Sequence, residues 1–431
     1  MQPAAASIIS TIAPARFRGY RWRICALLFA AISINYVDRA VLSVLAPDLQ
    51  RIIGWNEIQY SNIVNAFQAA YAIGLLLAGG FMDGVGTRLG YSISIGVWSA
   101  ATIATAFART VLGFGIARCV LGLGESGGFP AAIKTVAEWF PKKERALATG
   151  LFNCGTNVGA IIAPLAVPWL SIRYGWQSSF IVLGAASALW IVPWLAIYRH
   201  PAQHPRVSPA ELAYIQADPP DPESKVPWLY LMRYRQTWAF VIGKFMTDPI
   251  WWFIMFWLPK FLNTQYGVTM GKIGWPIVVV YTMATVGSIF GGWLPAQFFK
   301  EGWTANRACK TSMLIAAIAI TPVMLAATVT GMWTATLLIG LATACHQAWS
   351  ANIFTMPSDL FPKKAVGSVT GIGGFGGAVG GILMSTYSGV VLQRTGSYFP
   401  LFLVSGCVYL IALGIIQLLV PRLEPARWEL A

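Results

Sequence analysis

The chain has 431 residues, of which 56% are hydrophobic and only 11% charged, and its formal net charge is +14. A soluble globular domain carries about twice that charged fraction, so a disordered chain, a collagen-like one and an ordinary cytosolic enzyme are excluded. At about twenty residues per membrane-spanning helix, a dozen spans fit the length.

Taken in chain order, the apolar runs and their breakers predict spans at roughly 22–46, 59–82, 90–108, 110–134, 145–170 and 176–198, then 237–262, 273–298, 309–328, 332–356, 365–391 and 397–420. The first fifteen residues carry no side-chain charge and precede Arg16, Arg18, Arg21 and Arg23. That order is not a secretory signal; it anchors the first span on the cytoplasmic side. The stretch 199–236 holds prolines at 201, 205, 209, 219, 220, 222 and 227 together with Glu211, Asp218, Asp221, Glu223, Arg233 and Arg235. It reads as a cytoplasmic linker between an N-terminal bundle, 1–198, and a C-terminal bundle, 237–431. With both termini inside, twenty lysines and arginines fall in cytoplasmic segments and six in outer ones (Arg51, Arg109, Arg173, Lys260, Lys272, Arg394). The basic excess is therefore topology under the positive-inside rule, with the lipid bilayer and not nucleic acid as partner. The six cysteines are scattered without metal spacing and read as small apolar side chains.

An internal repeat appears at an offset of 221 residues. Phe140-Pro141-Lys142-Lys143 recurs as Phe361-Pro362-Lys363-Lys364, and Thr149, Gly150, Gly155, Val158, Gly159 and Ile161 recur as Thr370, Gly371, Gly376, Val379, Gly380 and Ile382. The fifth and eleventh spans are thus equivalents entered from the same side, as in transporters built from two parallel repeats. The glycines spaced four apart let helices approach closely. Two GxGxxG strings, 122–127 and 371–376, lie within apolar helices and follow no strand, so they are not dinucleotide fingerprints.

A charge near the bilayer centre costs at least about 2.5–3.5 kcal/mol and needs a partner or a wet cavity. The spans hold Asp38, Arg39, Arg118, Glu125, Lys134, Lys244, Asp248 and His346. Lys134, near a span end, is expected to snorkel to water. Lys244 and Asp248 are spaced to pair along one helix face. Asp38 and Arg39 are adjacent and diverge by about 100°, so each must look to another helix. Asn35 adds a polar face to the same span. Arg118 and Glu125, two turns apart, are also expected to reach across helices. At the repeat offset Glu125 corresponds to His346, so an acid and an imidazole are expected to meet in a central cavity from opposite sides. A carboxyl there can take up and release a proton.

With those residues in view, Gly79-Gly80-Phe81-Met82-Asp83-Gly84-Val85-Gly86-Thr87-Arg88 resembles the signature loop of the major facilitator superfamily, with Gly84 where a basic residue is usual. Asn35-Tyr36-Val37-Asp38-Arg39, Arg118 followed by Gly122-Leu-Gly-Glu125-Ser-Gly-Gly-Phe-Pro130, and Glu138-Trp139-Phe140-Pro141 resemble its anion:cation symporter family. Lys244-Phe-Met-Thr-Asp248-Pro249-Ile-Trp251 and Cys345-His346-Gln347-Ala348 resemble in particular the bacterial hexuronate transporters. The resemblance runs over nearly all of the chain. It implies an all-α membrane protein of twelve transmembrane helices in two pseudo-symmetric six-helix bundles, not an enzyme, monomeric, in a bacterial inner membrane. It implies proton-coupled uptake of a small anionic sugar acid, with protons as coupling ion and no cofactor or metal. Asp38 and Glu125 would be the protonatable sites and Arg39 would bind the substrate carboxylate. Tyr36, Tyr71, Lys244, Trp251, Thr156, His346 and Gln347 would line the pocket, with Asn35, Arg118 and Asp248 in support and Gly79, Asp83, Gly86 and Arg88 in the gating loop.

Chemistry agrees: a hexuronate offers one carboxylate for a two-pronged arginine contact, hydroxyls for Asn153, Thr156, Gln347 and the tyrosines, and an apolar ring face for Trp251. Thr156 stands where related carriers can have glutamine, and the run 373–377 lacks an asparagine some of them use; both bear on which sugar acid fits. An aldonate, aldarate or aromatic acid is the alternative cargo. A membrane-embedded enzyme is disfavoured by a single intramembrane histidine and the absence of HExxH and GxSxG strings.

Overall fold

A computed structural model describes residues 19–217, 228–361 and 363–423. Arg16, Arg18, Pro362 and the acidic, proline-rich part of the linker from Asp218 to Pro227 lie outside them. Among the described residues the structure is helical without strands. The first half contains α1 (Tyr20–Ile53), α2 (Glu57–Val85), α3 (Thr87–Thr105), α4 (Val111–Ser126), α5 (Gly128–Trp139), α6 (Lys142–Tyr174) and α7 (Trp176–Ile197). The linker carries α8 (Pro209–Ile215) and α9 (Trp228–Leu231). The second half contains α10 (Arg235–Tyr266), α11 (Gly274–Lys300), α12 (Ala305–Ala319), α13 (Met332–Ile353), α14 (Met356–Leu360), α15 (Lys363–Thr395) and α16 (Phe399–Leu419). Among the described residues, nine spans are individually long and apolar enough to cross a membrane. α3, α13 and the broken α4–α5 pair complete the twelve.

The first span runs past its predicted end at 46 as far as Ile53, and three others end or break differently from the runs read in the sequence. The fourth is not one helix over 110–134: it bends at Gly127 and continues as α5 to Trp139. Pro130 lacks the amide that would bond to the Ser126 carbonyl, so the ladder is interrupted there. The ninth ends in a 3₁₀ turn, Thr321–Leu325, opened by Pro322. The tenth stops at Ile353, before the short α14.

The twofold pseudo-symmetry is visible in the packing. α6 lies along α1 and α15 along α10, while α2 packs on α4 as α11 packs on α13. The repeated glycines are where the first two pairs touch. A Cβ on Gly159 would sit 2.3 Å from the Ser33 carbonyl oxygen, and one on Gly380 would sit 2.1 Å from that of Phe245. At the linker end, Arg21 at the start of α1 pairs with Glu144 of α6 at 2.9 Å and with Glu211 of α8 at 3.2 Å. Tyr214 of α8 donates to Glu144 at 2.7 Å. The ring of His204 lies 4.3 Å from that of Tyr20. This part of the linker is folded onto the N-terminal half.

The halves join at the end away from the linker. Lys260 of α10 pairs with Glu57 of α2, the Tyr60 hydroxyl donates to the Phe256 carbonyl at 2.7 Å, and Asn65 donates to Thr386 at 2.8 Å. A Cβ on Gly389 would collide with Ser61 there. Toward the linker end, a Cβ on Gly79, Gly80, Gly150, Gly367 or Gly374 would meet nothing within 4 Å.

Candidate functional site

Between these ends the charged residues of α1 and α4 form a buried cluster. Arg39 donates from Nε and Nη2 to the same Glu125 oxygen, at 3.0 and 2.8 Å. Its guanidinium lies 4.9 Å from the Tyr36 ring centre, 5.2 Å from Phe67, 4.7 Å from Tyr71 and 5.5 Å from Trp252. The aromatic box therefore takes three walls from the N-terminal half and one from the C-terminal half. Such cation–ring contacts offset part of the cost of burying the guanidinium. The second Glu125 oxygen and one oxygen of Asp38 are buried without a hydrogen-bond partner. The other Asp38 oxygen accepts from the Ser187 hydroxyl of α7 at 2.6 Å. Arg118, fully buried, lies 4.6 Å from the Phe67 ring centre and directs one nitrogen at the Arg39 carbonyl oxygen at 3.5 Å. Asn35 is buried beside Arg39. Asp38 and Arg39 thus look to different helices, as adjacent positions must.

A second cluster lies on the C-terminal half. Lys244 and Asp248 pair at 2.7 Å along α10. One turn on, Trp251 stacks on His346 of α13 at 5.5 Å and 17°, and meets Tyr281 of α11 edge-on at 5.7 Å. His346 Nδ1 shares a hydrogen bond of 2.7 Å with the Tyr409 hydroxyl of α16.

One expectation needs correction. Glu125 and His346 do not form the expected meeting of acid and imidazole: Glu125 holds Arg39 within its own half and His346 holds Tyr409. Lys134 keeps its side chain 29% exposed and pairs with the exposed Asp83 of the signature loop at 2.8 Å and with the Met82 carbonyl at 2.9 Å. The Thr156 hydroxyl bonds back to the Asn153 carbonyl of its own helix at 2.8 Å. Asn153 is exposed and Gln347 half-buried. In the loop itself, Gly86 turns the chain at φ +84° between α2 and α3, a region only glycine enters cheaply. Arg88 donates to the Leu195 carbonyl, and the Trp194 indole donates to the Arg88 carbonyl at 3.1 Å. The loop is thereby tied to α5 and α7.

Five residues escaped sequence reading: Phe67, Ser187, Trp252, Tyr281 and Tyr409. Trp252 had a visible signal, a tryptophan doublet in mid-span. Because successive helical residues diverge by about 100°, the doublet sends one indole to the Arg39 box and the other to His346. The rest are single aromatic or hydroxyl side chains in apolar runs, where nothing in the pattern separates them from packing.

The Major Facilitator Superfamily model matches residues 28–385. The hexuronate transporter of Escherichia coli K12 is 31% identical over 397 residues, covering 90% of this chain and 91% of that protein. The galacturonate transporter of Dickeya chrysanthemi is 32% identical over 291 residues, 66% of this chain and 84% of that protein. Among solved structures, a bacterial homologue of the human lysosomal transporter Spinster, inward-facing and unoccupied, superposes with a TM-score of 0.72 at 17% identity, over 94% of this chain and 95% of that one. With two helical bundles, the superfamily's loop and its sequence match over most of the length, the chain belongs to the Major Facilitator Superfamily and is a multi-pass membrane transport protein.

Proposed function

We propose that the protein is a symporter carrying hexuronates with protons across a bacterial inner membrane into the cytoplasm. The observation that carries this reading is Arg39, an intramembrane guanidinium at the seam of the two halves, boxed by aromatic rings and held through a single oxygen of Glu125. A substrate carboxylate can take the arginine by a two-pronged contact only in competition with Glu125. Two carboxylates around one buried guanidinium leave a negative charge uncompensated, and that is expensive away from water. A proton on Glu125 removes the conflict, so anion binding and proton uptake are linked. Asp38, with its unpartnered buried oxygen, is the second proton site. Trp251, Trp252 and the tyrosines supply ring-stacking and hydroxyl contacts for a sugar.

The names of the related transporters support a sugar-acid cargo. Residues 1–198 and 237–431 act as two moving bodies joined by the linker 199–236, with both termini cytoplasmic by the lysine and arginine bias. On that orientation the joined end faces out, the arrangement of an inward-open carrier working as a monomer.

The test is uptake of labelled glucuronate by purified protein in liposomes under an inward proton gradient, with unlabelled galacturonate, galactonate and glucose as competitors. Gradient-dependent uptake blocked by galacturonate and not by glucose is expected. Folded protein that takes up no hexuronate would overturn the cargo and leave the fold standing.

A further inference from the structure

The C-terminal half contains a second intramembrane cation, and the structure shows how it is used up. Lys244 is buried, its ammonium lies 2.7 Å from Asp248 Oδ2, and its other side faces the Phe354 ring at 4.0 Å. Asp248 is seated against Gly377 of α15, so closely that a Cβ there would fall 2.3 Å from its oxygen. The pair is partly open on the carboxylate side: the Asp248 side chain is 20% exposed and that of Lys244 only 5%. Trp252, which borders the Arg39 guanidinium at 5.5 Å, stands one turn from Asp248 along the same face of α10. That face therefore leads from an arginine to an acceptor oxygen with its cation shielded behind it.

Resting on the sugar-acid reading above, we infer that Asp248 is a specificity-determining residue that restricts the carrier to monocarboxylic sugar acids and rejects dicarboxylic ones. A monocarboxylate places its charge on Arg39 and a hydroxyl at its far end, which can donate to Asp248. A dicarboxylate brings a second negative charge to that end, where it meets a carboxylate instead of a usable ammonium. Like charges placed together in an interface disfavour binding and suppress the wrong partner.

The experiment is equilibrium binding to purified protein at pH 7.5, read by tryptophan fluorescence, with glucuronate as monocarboxylate and glucarate as dicarboxylate. Wild type should bind glucuronate more tightly, by about a hundredfold on two tenfold steps of affinity. Asp248→Asn uncovers Lys244 and should narrow the ratio at least about tenfold. Lys244→Gln leaves the carboxylate bare and should widen it. A merely structural pair would shift both variants the same way. The double variant Lys244→Gln/Asp248→Asn leaves no buried unpaired charge; it should fold and should still discriminate less than wild type. Equal binding of both acids by wild type, or an unchanged ratio in the double variant, would overturn the role of Asp248 while keeping the sugar-acid reading. Absence of binding to either acid would overturn both.

Discussion

Arg39 and Glu125 stand in one helix each, 86 residues apart, and neither is stable in a membrane alone. Removing one partner of a buried, hydrogen-bonded charge pair costs about 2–5 kcal/mol, so the two truncations should fail in different ways. Arg39→Ala should abolish binding of a hexuronate, with affinity lost by at least about thirtyfold on that range; titration of the purified variant checks it, and unchanged affinity would remove Arg39 from the carboxylate site. Glu125→Gln keeps the shape of the side chain and discards its titration. Exchange of labelled for unlabelled substrate across liposomes should survive, while accumulation driven by a proton gradient should be lost. Retained accumulation would remove Glu125 from coupling. The polar half of this cluster was legible in the sequence, because a charged residue inside an apolar run stands out. Its aromatic walls were not: Phe67 and Trp252 look like any other apolar residue until α1, α2 and α10 are brought together.

Among helices, α6 on α1 and α15 on α10 approach closely at the repeated glycines. Gly159→Val should push α1 outward against the Ser33 carbonyl and destabilise by about 1–3 kcal/mol, as overpacking does, visible as a lower melting temperature in detergent. Gly150→Ala, facing open space, should leave it unchanged. The helix α8 is held differently, by charge. Burial works against the Glu144 carboxylate, yet its bonds from Arg21 and Tyr214 hold it below its ordinary pKa of 4.5. A depressed carboxyl stabilises above its unfolded pKa and loses that contribution as the pH falls through the folded one. Amide exchange of residues 209–215 should therefore quicken as the pH drops below about 4.5 after correction for intrinsic rates, and Glu144→Gln should flatten that dependence. The break in the fourth span shows why boundaries were harder to read than spans. Hydropathy continues through Gly127 and Pro130; only the missing amide of the proline interrupts the ladder.

For the whole molecule, the joined end decides the state. Lys260 and Glu57 form the ionic contact there, with the Lys260 ammonium 5.1 Å from the Tyr60 ring centre. Glu57→Lys puts two cations together and should shift the halves toward opening at that end, raising the reactivity of a cysteine placed at Ser61, which is buried at that seam, toward an impermeant thiol reagent. The reversed pair, Glu57→Lys with Lys260→Glu, should restore protection. Equal reactivity in all three would show that the apolar contacts alone hold the end closed. Nothing in the sequence pairs residue 57 with residue 260, since the contact depends on how the two bundles are tilted and each charge by itself reads as an interface anchor.

The sequence by itself determined the membrane class, the twelve spans, the bias that orients them and the twofold repeat, because hydrophobic length, loop charge and repeated glycines are local properties that leave a linear trace. It also marked Asp38, Arg39, Glu125, Lys244 and His346, since the bilayer tolerates so few such residues. Only the tertiary structure decided who partners whom: Glu125 with Arg39 and not with His346, Lys134 with Asp83, Asp38 with Ser187, and Trp252 across the seam of the halves. Partnership between helices is set by the rotation and approach of each one, and those follow from packing over the whole bundle.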